Sequence, residues 1–143
     1  MDLKDTPSKN RILVVEDDRD AASVMCLALE DFYDVAVAEN VEEAIRTLHA
    51  APVDLILLDW QLGHDSGQGV LNELENWHAA ARPFVVVTTG GDDADLRDAI
   101  GTGKARLLTK PFGIEDLVRT VTIILAKSRR ISVDTDHRGD SVL

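Results

Sequence analysis

A single cysteine, Cys26, is the whole thiol complement of this chain, so no disulfide can form within it. Cys26 lies in an apolar, helix-patterned segment with no neighbouring His or Cys, and it reads as a small core residue rather than a metal ligand. Basic residues are also scarce. Fifteen Lys and Arg stand against 26 Asp and Glu, a formal net charge of −11. Such a chain repels nucleic acid unless it carries a local basic patch. The one cluster visible along the sequence is Lys127, Arg129 and Arg130, near the end of the last expected helix, where cations suit the helix dipole. Direct nucleic-acid binding by this chain is therefore not expected. No apolar run approaches the roughly 20 residues that a membrane helix needs. The opening MDLKDTPSKN lacks the apolar stretch of a secretory signal, which points to the cytoplasm. His49, His64 and His78 show no metal-ligand spacing, and no repeat or low-complexity stretch is visible.

What is present is an alternation of two periods over 143 residues, a length that suits one domain with a real core. Ile12–Val15, Val35–Ala38, Leu55–Leu58, Phe84–Val87 and Leu107–Leu108 are short apolar runs, each strand-like. Between and after them, apolar residues fall at helical spacing. The first such segment, 18–32, carries Ala21, Met25, Ala28, Leu29 and Phe32. The second carries Val41, Ala44, Ile45 and Leu48, with Asn40 as its cap and Glu43 completing a capping box. The third carries Val70, Leu71, Leu74 and Trp77, after a loop marked by Gly63, Gly67 and Gly69. A short fourth holds Leu96, Ala99 and Ile100, and a strongly amphipathic fifth runs from Ile114 to Leu125. Near-continuous apolar strands alternating with helices predict an α/β fold with a parallel sheet covered on both faces. We expect a flexible segment at 1–10, the folded domain at 11–130, and a polar tail or linker stump at 131–143.

In open α/β sheets, ligands bind beyond the carboxyl ends of the strands. The residues there are Glu16, Asp17 and Asp18 after the first run, Asp59 after the third, Thr88 and Thr89 after the fourth, and Lys110 followed by Pro111 after the fifth. If the first and third strands are neighbours, the carboxylates converge. Converging carboxylates raise one another's pKa, and a divalent cation relieves this. Hard oxygen donors with waters retained suit Mg²⁺. Carboxylate, cation, ammonium and hydroxyl together describe a site for a phosphoryl group, with an Asp as the covalent nucleophile. Asp18 also reads as a helix cap, and Trp60 as packing beside the site.

The segments ILVVEDD (12–18), DLILLDWQLGHDSG (54–67), PFVVVTTG (83–90) and LLTKPF (107–112) together resemble a response-regulator receiver domain, the phosphoacceptor module of two-component signalling. The resemblance spans residues 11–126. It implies a doubly wound (βα)5 sandwich of flavodoxin-like strand order 2-1-3-4-5. Asp59 would be the phosphoacceptor, with Thr88 and Lys110 contacting phosphoryl oxygens. Asp17 and Asp59 would ligate Mg²⁺ directly, with Glu16 acting through water and Gln61 through its backbone carbonyl. The peptide before Pro111 would be cis. The implied donor is a phosphohistidine of a sensor histidine kinase or a histidine phosphotransfer protein, and the implied readout a downstream protein target. The chain would be a monomer or weak homodimer, catalysing only its own phosphorylation and dephosphorylation.

Three positions depart from the family's pattern. Gly63 stands where a proline is usual, Leu107 where an aromatic switch residue is usual, and Thr89 where a small residue is usual. Leu107 favours an alternative, a degenerate receiver that binds partners regardless of phosphorylation. A third reading, an aspartyl-phosphate hydrolase, lacks the general acid such enzymes often place two residues after the nucleophile, where this chain has Gln61.

Overall fold

The computed structural model describes residues 9–91 and 93–127. The expected tail 131–143, Arg129 and Arg130, and all of the expected N-terminal segment except Lys9 and Asn10 lie outside the described residues. The elements run β1 (Arg11–Val15), α1 (Arg19–Leu29), β2 (Asp34–Ala38), α2 (Val41–Ala50), β3 (Leu55–Asp59), β4 (Gln61–Leu62), β5 (Asp65–Ser66), α3 (Gln68–Glu75), β6 (Phe84–Thr89), α4 (Ala94–Gly101) and β7 (Arg106–Thr109). A last helix, α5, occupies residues 114–127. The main sheet is parallel throughout, in the order β2-β1-β3-β6-β7. With the small antiparallel pair β4–β5 set aside, this is the 2-1-3-4-5 order of the flavodoxin-like fold.

The two-residue period of the strands divides the core into two layers. Leu13, Val15, Ile56, Leu58, Val85 and Val87 face α2, α3 and α4. Ile12, Val14, Leu55, Leu57 and Val86 face α1 and α5. All five residues of β3 are buried, which explains its unbroken apolar sequence. Each Leu withdrawn from water there contributes about 1.5–3 kcal/mol before entropy is counted.

Some local readings need correction. The first helix stops at Leu29 rather than 32, with the Glu30 N–H bonded back to the Cys26 carbonyl. Phe32 therefore sits in the turn before β2 and is 67% exposed. Cys26 is only half-buried. Asn40 does cap α2, its Oδ1 accepting from the Glu43 N–H at 2.8 Å. The Glu43 carboxylate, however, accepts from the N–H of Glu39, one residue before the cap. Leu107 lies on the edge strand β7 and is 44% exposed. The β4–β5 pair replaces part of what the glycines suggested was plain loop. Its tight turn passes through Gly63 at φ +63°, a backbone region costly for other residues.

Candidate functional site

The site is assembled at the carboxyl ends of β1, β3, β6 and β7. Asp59 is the last residue of β3 and pairs in register with Thr88 of β6. The next residue, Trp60, continues this pairing through its N–H to the Thr88 carbonyl at 3.0 Å, then turns into the core and is buried. Asp59 is thus held on both sides by packed backbone, and its side chain is 8% exposed.

Glu16 follows β1 and is 3% exposed. Its backbone N–H bonds to the Ala38 carbonyl, and its Oε1 accepts from the Asp18 N–H at 3.4 Å. Asp17, beside it, is exposed. Asp18 turns away and caps α1, accepting from the N–H groups of Asp20 and Ala21. The expected split between capping Asp18 and site-facing neighbours is therefore what the structure contains.

Carboxylate oxygens of Glu16, Asp17 and Asp59 lie within 4.8 Å of one another. Lys110 comes from beyond β7, its own N–H bonded to the Thr89 carbonyl at 2.7 Å, and the Lys110–Pro111 peptide is cis. The Lys110 ammonium lies 3.3 Å from Asp59 Oδ2 and 3.8 Å from Glu16 Oε2. The Gln61 N–H donates to Asp59 Oδ1 at 3.2 Å. The six residues given site roles by the resemblance, Glu16, Asp17, Asp59, Gln61, Thr88 and Lys110, thus lie at one end of the sheet.

The electrostatics are unbalanced toward negative charge. Burial, and then the adjacent Asp59 carboxylate, push the Glu16 carboxyl up to about 7, against a weaker opposing pull from Lys110. Three buried polar side-chain atoms lack a hydrogen-bond partner among the described residues: Arg11 Nε, Glu16 Oε2 and Thr88 Oγ1. Two of the three belong to this site. An unmet acceptor beside crowded carboxylates fits a cation, and an unmet hydroxyl fits an incoming oxyanion.

The donor set fits a small hard cation. Three carboxylate oxygens gathered within 4.8 Å are hard donors of the kind Mg²⁺ takes, and exposed Asp17 leaves room for waters.

Gly67 is a site residue that the sequence marked only as loop. A Cβ there would meet the Asp59 carbonyl oxygen at 3.0 Å, and Leu58 and Trp60 side-chain atoms at 3.1 Å. Its N–H bonds to the Trp60 carbonyl at 2.9 Å, drawing the chain back across the end of β3.

The family model for the response regulator receiver domain matches residues 12–122. The phosphate regulon transcriptional regulatory protein PhoB of Klebsiella pneumoniae is 35% identical over 125 residues, covering 85% of this chain and 53% of its own length. The transcriptional regulatory protein CpxR of Klebsiella pneumoniae is 33% identical over 120 residues, covering 83% of this chain and 50% of its own. The chain spans about half the length of these curated relatives. Among solved structures, the signal receiver domain of a putative Luxo repressor protein from Vibrio parahaemolyticus superposes with a TM-score of 0.77 at 25% identity, covering 87% of this chain and 96% of that one.

Proposed function

This chain belongs to the response regulator receiver domain family, and from that premise we propose that it is a phosphorylation-dependent switch with Asp59 as its phosphoacceptor. As a two-component receiver it is a signalling domain rather than a turnover enzyme. The observation that carries the proposal is the Lys110 ammonium 3.3 Å from Asp59 Oδ2 and 3.8 Å from Glu16 Oε2, with Asp17 completing the acidic cluster.

In the proposed step, an Asp59 carboxylate oxygen attacks the phosphorus of a phosphohistidine on a sensor kinase or phosphotransfer protein. The O–P bond forms as the P–N bond breaks, and the imidazole leaves with its electron pair. Asp17, Asp59, the Gln61 carbonyl and, through water, Glu16 would hold Mg²⁺, which would supply charge neutralisation to the phosphoryl oxygens. Lys110 exchanges its contact with Asp59 for one with a phosphoryl oxygen. The Thr88 hydroxyl, buried and without a partner among the described residues, donates to another. These contacts exist only in the phosphorylated form, so they bias the conformational equilibrium toward it.

The readout is proposed to be a contact with a downstream protein target, in the cytoplasm, by a monomer or weak homodimer. No helix among the described residues is long and apolar enough to cross a membrane. One observation favours a second reading, a phosphorylation-independent interaction module. Leu107, at the usual aromatic switch position, is already 44% exposed and is too short to reproduce an aromatic's swing.

Intact mass after incubation with acetyl phosphate and Mg²⁺ separates the two. A single phosphoryl adduct on the wild type, absent with EDTA and absent from Asp59→Asn, supports the switch. No adduct, together with no binding of beryllofluoride, sinks it in favour of the interaction module.

A further inference from the structure

At the opposite end of the sheet from Asp59, a cleft of about 630 Å³ opens between α3, the start of β6, the turn leading into β7, and α5. Its floor is apolar, formed by Leu71, Leu74, Val85 and Ile124, all buried. Phe84 stands at its wall and is 44% exposed. Its rim carries four cations, Arg82, Lys104, Arg106 and Lys127, against one carboxylate, Glu75.

That balance inverts the sign of the molecule. The whole chain carries 15 basic residues and a net charge of −11, yet four of those 15 line this one cleft. Lys104 and Arg106 are two residues apart, but Arg82 and Lys127 are distant from them, so the grouping of the four was not visible before folding. Two of them are fixed in place. The Arg82 guanidinium donates to the carbonyls of Trp77 and Glu75, each at 2.9 Å, which ties it to the end of α3. Lys104 pairs with Glu75. Lys104, and more weakly Arg82, hold the Glu75 carboxyl below its usual range. Arg106 and Lys127 are exposed and have no ion pair among the described residues.

We infer that this cleft is a second binding surface, which takes a short acidic peptide segment of a partner protein with an apolar side chain anchored between Phe84 and the Leu71–Leu74 floor. The volume lies within the range of about 300–1,000 Å³ usual for ligand sites. Exposed rim residues and a buried apolar floor suit a chain segment laid across the surface better than an enclosed metabolite. The overall negative charge does not prevent this, because beyond a Debye length of about 10 Å it is screened, and the local sign decides. The cleft sits at the amino end of β6 and Thr88 at its carboxyl end, so the peptide and a phosphoryl group do not compete for space.

The test uses a short fluorescein-labelled peptide bearing several Glu residues around a Leu-Phe pair, titrated with the whole chain. Saturable binding is expected, with amide shifts centred on Phe84, Val85, Ala105 and Arg106 in the NMR spectrum. Arg106→Ala and Lys127→Ala, both at exposed positions, should each weaken it roughly two- to fivefold, the range for exposed ion pairs. The same peptide with Gln for Glu, or Ser for Leu and Phe, should bind much less. The inference is overturned if neither variant changes the affinity, if the Gln peptide binds equally, or if no saturable binding is seen. Tighter binding of citrate or of a single-stranded oligonucleotide at the same residues would also overturn it, assigning the cleft to a small anion or to nucleic acid.

Discussion

The Lys110 ammonium lies 3.3 Å from Asp59 Oδ2, an ion pair that joins the end of the edge strand β7 to the end of the central strand β3. It sets two opposing demands. The ammonium neutralises Asp59 while the site holds no cation, and it repels a cation that enters. Lys110→Ala should therefore raise Mg²⁺ affinity on the order of tenfold, as expected for a like charge removed at this range in a partly exposed site. The same variant should lose the conformational response to phosphodonor. Mg²⁺ titration by tryptophan fluorescence, with and without acetyl phosphate, checks both; weaker Mg²⁺ binding would contradict the first.

Glu16 links the site to pH. Its carboxyl moves from an ordinary value of 4.5 to about 7, chiefly through burial and the nearby Asp59. The folded state then holds the proton more tightly than the unfolded chain. This group's stabilising contribution is complete below pH 4.5 and is lost as pH rises through 7. A cation competes with that proton, so Mg²⁺ affinity should climb up to pH 7 and level off above it. Glu16→Gln should flatten the upper part of the climb. Calorimetric titration across this window reads it, and a wild-type profile flat between pH 5.5 and 7 would remove Glu16 from the account.

Thr88 offers a separation of stability from response. Its Oγ1 is buried without a partner among the described residues, which costs about 1–3 kcal/mol. Thr88→Val keeps the shape and removes the unmet group. The variant should be as stable as the wild type or more so in urea, while its phosphorylated form loses the wild-type conformational change. A destabilised variant would mean that the hydroxyl already has a partner in solution.

Gly67→Ala should act in the opposite sense. The new Cβ would press on the Asp59 carbonyl at 3.0 Å and on two packed side chains, none at the free end of a flexible chain. A loss of about 1–3 kcal/mol in urea unfolding is expected from overpacking, with slower phosphorylation by acetyl phosphate as β3 shifts. Unchanged stability and rate would show that the loop gives way freely.

Much of this was legible because strand ends are written in the sequence as a change from apolar to polar. Leu58–Asp59 and Val15–Glu16 are such boundaries, and parallel pairing brings them together. What escaped was set by tertiary geometry. Phe32 fits a helical period, but the helix has already been closed by Glu30, so its apolar ring points outward. The β4–β5 pair is only two residues long on each side, too short for any period to show. Gly67 looked like one loop glycine among three, since no local pattern records that another strand's carbonyl lies against it. The basic cleft was invisible for the same reason: residues 82, 104, 106 and 127 meet only in three dimensions.

The burial of every residue of β3, between β1 on one side and β6 on the other, has a consequence for hydrogen exchange. Amides of such a strand should exchange only when the whole sheet opens, whereas those of the edge strand β7 and the glycine loop at 90–91 should exchange through local openings. Asp59 sits at the boundary between the two regimes. A covalent mark written there, as proposed, would be anchored beside the part of the sheet expected to open last, next to edge segments expected to open first. The chain could therefore fray and reclose at its edges many times without losing the position of a group carried at Asp59.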